Sequence, residues 1–126
     1  MIFDFANKVK NHRDKFCDLI SILRGEGKNI WGIGASTKGN ILLNYCNFTS
    51  TEIQGISDVN SDKYESVTPG SRIRIHSETE MRRNKPDYAI VLPWHFRSSI
   101  IDKEQDYIKS GGKLIFPMPR IEIVTS

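Results

Sequence analysis

Apolar residues recur at Phe5, Val9, Phe16, Ile20 and Leu23, the spacing of one helical face, and Gly25 and Gly27 close that run. The spacing predicts an N-terminal helix within residues 1–27. Asn29-Ile30-Trp31-Gly32-Ile33 then reads as a short buried strand running straight into a glycine-rich loop. Ile41, Leu42, Tyr45 and Cys46 form the apolar stripe expected of a second helix, and Glu52 to Ser57 reads as a second strand that Asp58 ends. From Val59 to Ile75 the pattern is polar and irregular, with a turn at Thr68-Pro69-Gly70, and a short helix is expected over Ser77 to Arg83. Asp87 to Leu92 is continuously apolar, the signature of a strand buried on both faces. Ser99-Ile100-Ile101-Asp102 has the form of a capping box. Ile100, Ile101, Tyr107 and Ile108 continue as an amphipathic helix to Ser110, which Gly111 and Gly112 terminate. Lys113 to Phe116 is a fourth strand, and Ile121 to Val124 alternates as an edge strand does.

Strands and helices therefore alternate, which implies an α/β fold: a Rossmann-like three-layer sandwich with a mostly parallel sheet and helices on both faces. The expectation is one domain over residues 1–126, with an N-terminal helix (1–27) and an α/β core (28–126). Ligands of such sheets sit beyond the carboxyl ends of the strands, so the loops beginning at Gly34, Asp58, Pro93 and Pro117 are the ones to read for chemistry.

Composition narrows the classes. With 126 residues, 38% apolar and 26% charged, the chain is expected to be one soluble, globular unit. A net charge of +3, with basic residues scattered apart from Arg72, Arg74, Arg82, Arg83 and Lys85, gives no argument for nucleic acid. No apolar run approaches the roughly 20 residues that span a bilayer, and Met1 to Phe5 lacks a basic signal region, so no membrane partner and a cytoplasmic location are expected. Cys17 and Cys46 have neither metal-ligand nor redox-motif spacing, and are expected as buried, reduced thiols on helix faces. No His, Cys or Asp cluster has metal spacing.

The strongest chemical signal is Gly32-Ile33-Gly34-Ala35-Ser36-Thr37-Lys38-Gly39-Asn40, placed between a strand and a helix as phosphate-binding loops are. Glycines allow close backbone approach, the helix start offers N–H groups and partial positive charge, Ser36 and Thr37 add hydroxyls, and Lys38 adds a cation. The match is partial. Thr37 occupies the third position of G-x-G-x-x-G, and Asn40-Ile41 replaces the Lys and Ser/Thr of an ATPase loop, so an ATPase is excluded and a plain structural turn stands as the alternative. Asp58 sits where a Rossmann acid takes ribose hydroxyls, or equally where an Asp caps a turn. Pro93, Trp94 and His95 follow the third strand, where Trp94 could stack on a base or sugar and His95 could bind. Phe96 is expected in the core, and His12 and His76 on the surface.

Taken in order, Trp31 to Asn44, Ser57-Asp58-Val59-Asn60, Thr68-Pro69-Gly70, Pro86-Asp87-Tyr88, Leu92-Pro93-Trp94-His95-Phe96 and Gly111 to Pro117 resemble the C-terminal domain of S-adenosylmethionine-dependent C-methyltransferases that act on nucleotide-linked deoxysugars. These segments span nearly the whole chain. The resemblance implies a three-part protein in which a zinc-binding segment and a methyl-donor domain precede this Rossmann-like domain. The C-terminal domain would help hold the nucleotide-diphosphate sugar. The chain would then be an excised domain, or a stand-alone relative with a partner elsewhere. Ser61 to Val67 departs from the family pattern, which has a proline and a glycine there.

The resemblance implies no catalytic residue and no bound cofactor on this chain, with S-adenosylmethionine on another domain, supplied in cis or in trans. The substrate side would be Gly32, Gly34, Ala35, Ser36, Thr37, Lys38, Gly39, Asn40, Asp58, Pro93, Trp94 and His95. The rival readings are an NAD- or nucleotide-binding Rossmann sensing module and a purely structural interaction domain.

Overall fold

The structure, a computed structural model, describes residues 2–126; Met1 and the side chains of residues 2–7, with them the Phe5 position of the first stripe, lie outside the described residues. The order along the chain is α1 (Ile2–Gly25), β1 (Ile30–Ile33), α2 (Thr37–Tyr45), β2 (Ile56–Asp58), β3 (Ile75–Ser77), α3 (Glu78–Asn84), β4 (Tyr88–Val91), α4 (Arg97–Lys103), α5 (Gln105–Lys109), β5 (Lys113–Phe116) and β6 (Glu122–Val124). The strands form one sheet in the order β3-β2-β1-β4-β5-β6. All neighbours are parallel except β5 and β6; β6 is the edge strand expected of Ile121 to Val124, and it runs antiparallel. The chain winds outward from β1 to β3 and then restarts beside β1 with β4, which makes the carboxyl ends of β1 and β4 the switch point of the sheet.

Period-two alternation sorts the strand side chains onto two faces. Ile30, Ile56, Ile90, Leu92 and Ile115 face Phe16, Ile20 and Leu23 of α1 and Leu42 and Leu43 of α2. Trp31, Ile33, Ala89, Val91, Leu114 and Phe116 face Met81 of α3 and Tyr107 and Ile108 of α5. This is the three-layer sandwich that the alternation predicts. Helix α1 ends as its glycines imply: Gly27 takes φ +83, its N–H donates to Arg24 O (3.0 Å), and Lys28 N–H donates to Leu23 O (3.0 Å), closing a Schellman motif.

Several expectations need correction. Strand β3 was not expected: it begins at Ile75, where the stretch read as irregular ends, and takes Ser77 from the expected helix; its three residues are too few to show alternation, and pairing with β2 creates it. The helix expected across Ser99 to Ser110 is two helices, because the chain breaks step at Glu104 between α4 and α5. Ile41 is 58% exposed and Tyr45 37%, so the buried face of α2 is Gly39, Leu42 and Leu43. Gly39 is the reason: a Cβ there would collide with Leu92, so the helix turns its smallest residue to the sheet and approaches closely. Phe96, expected in the core, is 57% exposed. His12 and His76 are half-buried rather than surface residues: His12 Nε2 donates to Pro117 O (2.6 Å), and the His76 ring packs 5.1 Å from that of Trp31. Finally, Cys17 and Cys46 are half-buried and joined as a disulfide between α1 and the C-cap of α2, not reduced thiols; their Cα atoms lie 5.5 Å apart although 29 residues separate them in sequence.

Candidate functional site

Gly34 and Pro93 meet at the switch point. Gly34 adopts φ +81, which only glycine holds without strain, and a Cβ on it would lie 2.7 Å from Pro93 Cδ. Its N–H donates to Ser57 O (2.7 Å). The glycine is therefore required by the packing of the β1 loop on the β4 loop, independently of any phosphate. Gly32 is buried in β1, where a Cβ would press on Ile56 Cγ1 at 3.1 Å.

Asp58, only 8% exposed, locks this loop from the end of β2. One carboxylate oxygen accepts from Ala35 N–H (2.9 Å), and the other accepts from Asn60 N–H (2.8 Å). Lys63 stands 3.7 Å from the same carboxylate and donates to Ala35 O (3.1 Å), closing the clamp. Lys63 lies in Ser61 to Val67, whose 3-10 turn at Ser61–Lys63 is capped by Asn60. Asn40 is equally committed. Its Nδ2 donates to Pro69 O (3.0 Å), Ser71 Oγ donates to its Oδ1 (3.0 Å), and Asn44 Nδ2 also donates to Pro69 O (3.1 Å). The Thr68-Pro69-Gly70 turn is thus a dock for α2.

What the loop leaves available lies further along. Ser36 caps α2, its Oγ accepting from Gly39 N–H (3.1 Å). The N–H groups of Thr37 and Lys38, in the first turn, have no intrahelical acceptor. The Thr37 and Lys38 side chains are exposed, and Lys38 forms no ion pair among the described residues.

Two hollows flank the switch point. On the α3/α4 side a cavity of about 240 Å³ is lined by Gly34, Asp58, Val59, Pro93 and Phe96, with Glu78, Lys103 and Glu104 at its charged wall. Each charge there is paired: Lys103 with Glu78 (2.6 Å), Arg82 with the buried Glu104 (3.3 Å), and Lys63 with Asp58. On the α1/α2 side a groove of about 490 Å³ runs between Arg13, Lys38, Ile41, Trp94 and the Met118-Pro119 turn. A smaller hollow of about 290 Å³ continues it past Lys8 and His12. Arg13 lies over the Tyr45 ring, 5.2 Å from its centroid, and it too forms no ion pair among the described residues. Trp94 is half-buried on the groove wall. His95 is exposed and stacks on Phe96 with centroids 4.3 Å apart, away from the groove lining.

The structure therefore brings Lys38 and Trp94 together, sets Gly32, Gly34, Ala35, Gly39, Asn40 and Asp58 to building the loop, and leaves His95 exposed beside Phe96, outside the lining of both hollows. Arg13 was not among the expected site residues. No local signal marks it, because only the packing of α1 on α2 carries it to Lys38. Among the described residues no group of three His, Cys, Asp or Glu could hold a metal ion, and no helix is long and apolar enough to cross a membrane.

Residues 2–119 match the family described as C-methyltransferase C-terminal domain. The chain is also 33% identical over 123 residues to the C-methyltransferase NovU of Streptomyces niveus, a match that covers 98% of this chain and 29% of that protein. The chain thus spans less than a third of the relative's length, and it belongs to the family of C-methyltransferase C-terminal domains.

Proposed function

We propose that this domain holds the diphosphate and base of a nucleotide-linked deoxysugar while a separate methyl-donor domain, in cis or in trans, carries S-adenosylmethionine and the methyl transfer. The chemistry assigned to the whole enzyme is removal of a proton beside a keto group, then attack of the resulting carbanion on the donor methyl. The observation that carries this reading is the groove where Arg13 and Lys38, without acidic partners among the described residues, stand beside Trp94 and the start of α2. Two cations and the open N–H groups of a helix start suit a diphosphate, and an indole face suits a base or sugar.

Placing the methyl donor on another domain is supported by Asp58: this acid at the end of β2, where a Rossmann acid would take ribose hydroxyls, already accepts from Ala35 and Asn60 N–H and stands beside Lys63. The same commitment speaks against an NAD sensor.

Titration of thymidine diphosphate into the chain tests the proposal. Amide NMR signals of residues 36–40 and the Trp94 indole signal should shift, whereas S-adenosylmethionine should give no saturable heat in calorimetry. Shifts confined to the α3/α4 cavity, or micromolar binding of S-adenosylmethionine, would overturn it.

A further inference from the structure

Helix α1 is held in two different ways along its length. From Phe16 onward its buried residues Phe16, Ile20 and Leu23 are packed against Leu42, Leu43 and Phe48. Among the described side chains of residues 8–15 the ties are His12 to Pro117 O (2.6 Å), Tyr45 Oη donating to Asp14 (2.9 Å), Arg13 over the Tyr45 ring, and half-buried Val9 lining the groove with Met118 and Pro119. The Asp14 tie is exposed, and contacts of that kind contribute little each. Cys17 sits where the two regimes meet, one turn after Arg13, and its partner Cys46 caps the helix that carries Lys38 and Ile41. The only covalent tie between distant parts of the described chain therefore lies where the buried stripe Phe16, Ile20 and Leu23 of α1 begins, and it joins the two helices that wall the groove.

We propose that Cys17 and Cys46 form a reversible thiol–disulfide site that takes oxidants of the glutathione disulfide class and sets how firmly the first half of α1 is held against α2. Both cysteines are half-buried, packed at the edge of the core cluster and in part open to solvent. One cysteine thiolate attacks glutathione disulfide, forming a mixed disulfide and releasing one glutathione thiolate. The second cysteine thiolate then attacks the protein sulfur of the mixed disulfide and expels the other glutathione. The protein loses two electrons and two protons, and the oxidant leaves as two thiols. In the oxidised state Arg13 is held one helical turn from a covalent tie. In the reduced state residues 8–15 keep only noncovalent ties to the rest of the described chain, so the wall of the groove is less pre-organised. The consequence for ligand rests on the substrate reading above; the clasp itself does not.

The test uses the chain equilibrated in glutathione buffers of increasing oxidised fraction. Alkylation and mass spectrometry should show both cysteines becoming protected together, a Cys17–Cys46 cross-linked peptide, and full reversal by dithiothreitol. Hydrogen exchange of residues 8–15 should be slower in the oxidised chain by about five-fold or more, with residues 30–33 and 88–91 unchanged. A doubly substituted Cys17→Ser, Cys46→Ser chain, checked by thermal melt, should exchange like the reduced protein in every buffer. Thymidine diphosphate should bind the oxidised form about three- to ten-fold more tightly, through pre-organisation alone. Independent alkylation of the two thiols at every buffer ratio, or equal exchange of residues 8–15 in both states, overturns the proposal. If exchange differs but neither state binds thymidine diphosphate, the clasp stands and the substrate reading falls.

Discussion

The two sides of the sheet's carboxyl edge use charge in opposite ways. On the α3/α4 side, Asp58, Glu78, Lys103 and Glu104 line a cavity and each has an ionic partner. On the α1/α2 side, Arg13 and Lys38 line a larger groove and form no ion pair among the described residues. A buried carboxylate without partners would be costly, so Glu104 and Asp58 recruit Arg82, Lys63 and backbone N–H groups. Cations at the groove mouth keep their hydration and need no partner, which leaves them able to meet an anionic ligand. Paired charge here is architecture, and unpaired charge is what a ligand could use.

The largest effect should come from the residue that both sides share. Gly34→Val puts a β-branched residue at φ +81 and a Cβ 2.7 Å from Pro93 Cδ. Strain and overpacking together should cost about 3 kcal/mol or more, seen as a large fall in the melting midpoint with ligand absent. A folded Gly34→Val chain that melts like the parent would remove the Gly34–Pro93 contact from the account. Next comes Asp58→Asn. It leaves the loop one good acceptor short in a buried place and should cost about 1–3 kcal/mol in urea unfolding, lowering affinity only as far as the loop loosens.

Lys38→Ala and Arg13→Ala should behave the other way. Each should leave the melt nearly unchanged and weaken thymidine diphosphate binding by about 1 kcal/mol, roughly five-fold, with the loss shrinking in added salt. Lys103→Ala, across the partition, should leave that affinity as it was; equal losses from Lys38→Ala and Lys103→Ala would erase the distinction between the two sides. The smallest effect belongs to the sheet edge. Arg97 donates to Glu122 through two bonds (2.9 and 2.6 Å) and holds that carboxyl below the usual carboxylate range. A depressed folded value means the clip contributes fully above about pH 4.3, the ordinary glutamate value, and is lost as pH falls through the lower folded value. Arg97→Ala should flatten the acid limb of the stability curve below that pH, and an unchanged slope would show that β6 does not depend on the pair.

Much of the fold was legible in the chain because periodicity is a local property. Continuous apolar runs marked β4 and β5, the Gly27 stop marked the end of α1, and alternation from strand to helix implied a parallel sheet. The glycine loop was placed correctly between β1 and α2, since its residues are consecutive. What it does was less legible. Asn40 reads as a ligand residue, yet its side chain holds Pro69 and Ser71, and Asp58 reads equally as ribose acid or cap, while in the fold its oxygens accept from Ala35 and Asn60.

By itself, then, the sequence determined the elements, the three-layer architecture and the loop at the switch point, because each follows from neighbours within a turn or a strand. Only the tertiary structure decided which charges are consumed and which stay open. Asp58 reaches Ala35 from the neighbouring strand, 23 residues on, and Arg13 reaches the groove of Lys38 from another helix. Cys17 meets Cys46 over 29 residues. Those meetings depend on how α1 packs on α2 and how β2 sits beside β1. No spacing along the chain encodes them, since the free energy that selects them is apolar burial in Phe16, Ile20 and Leu43, residues that carry none of the chemistry.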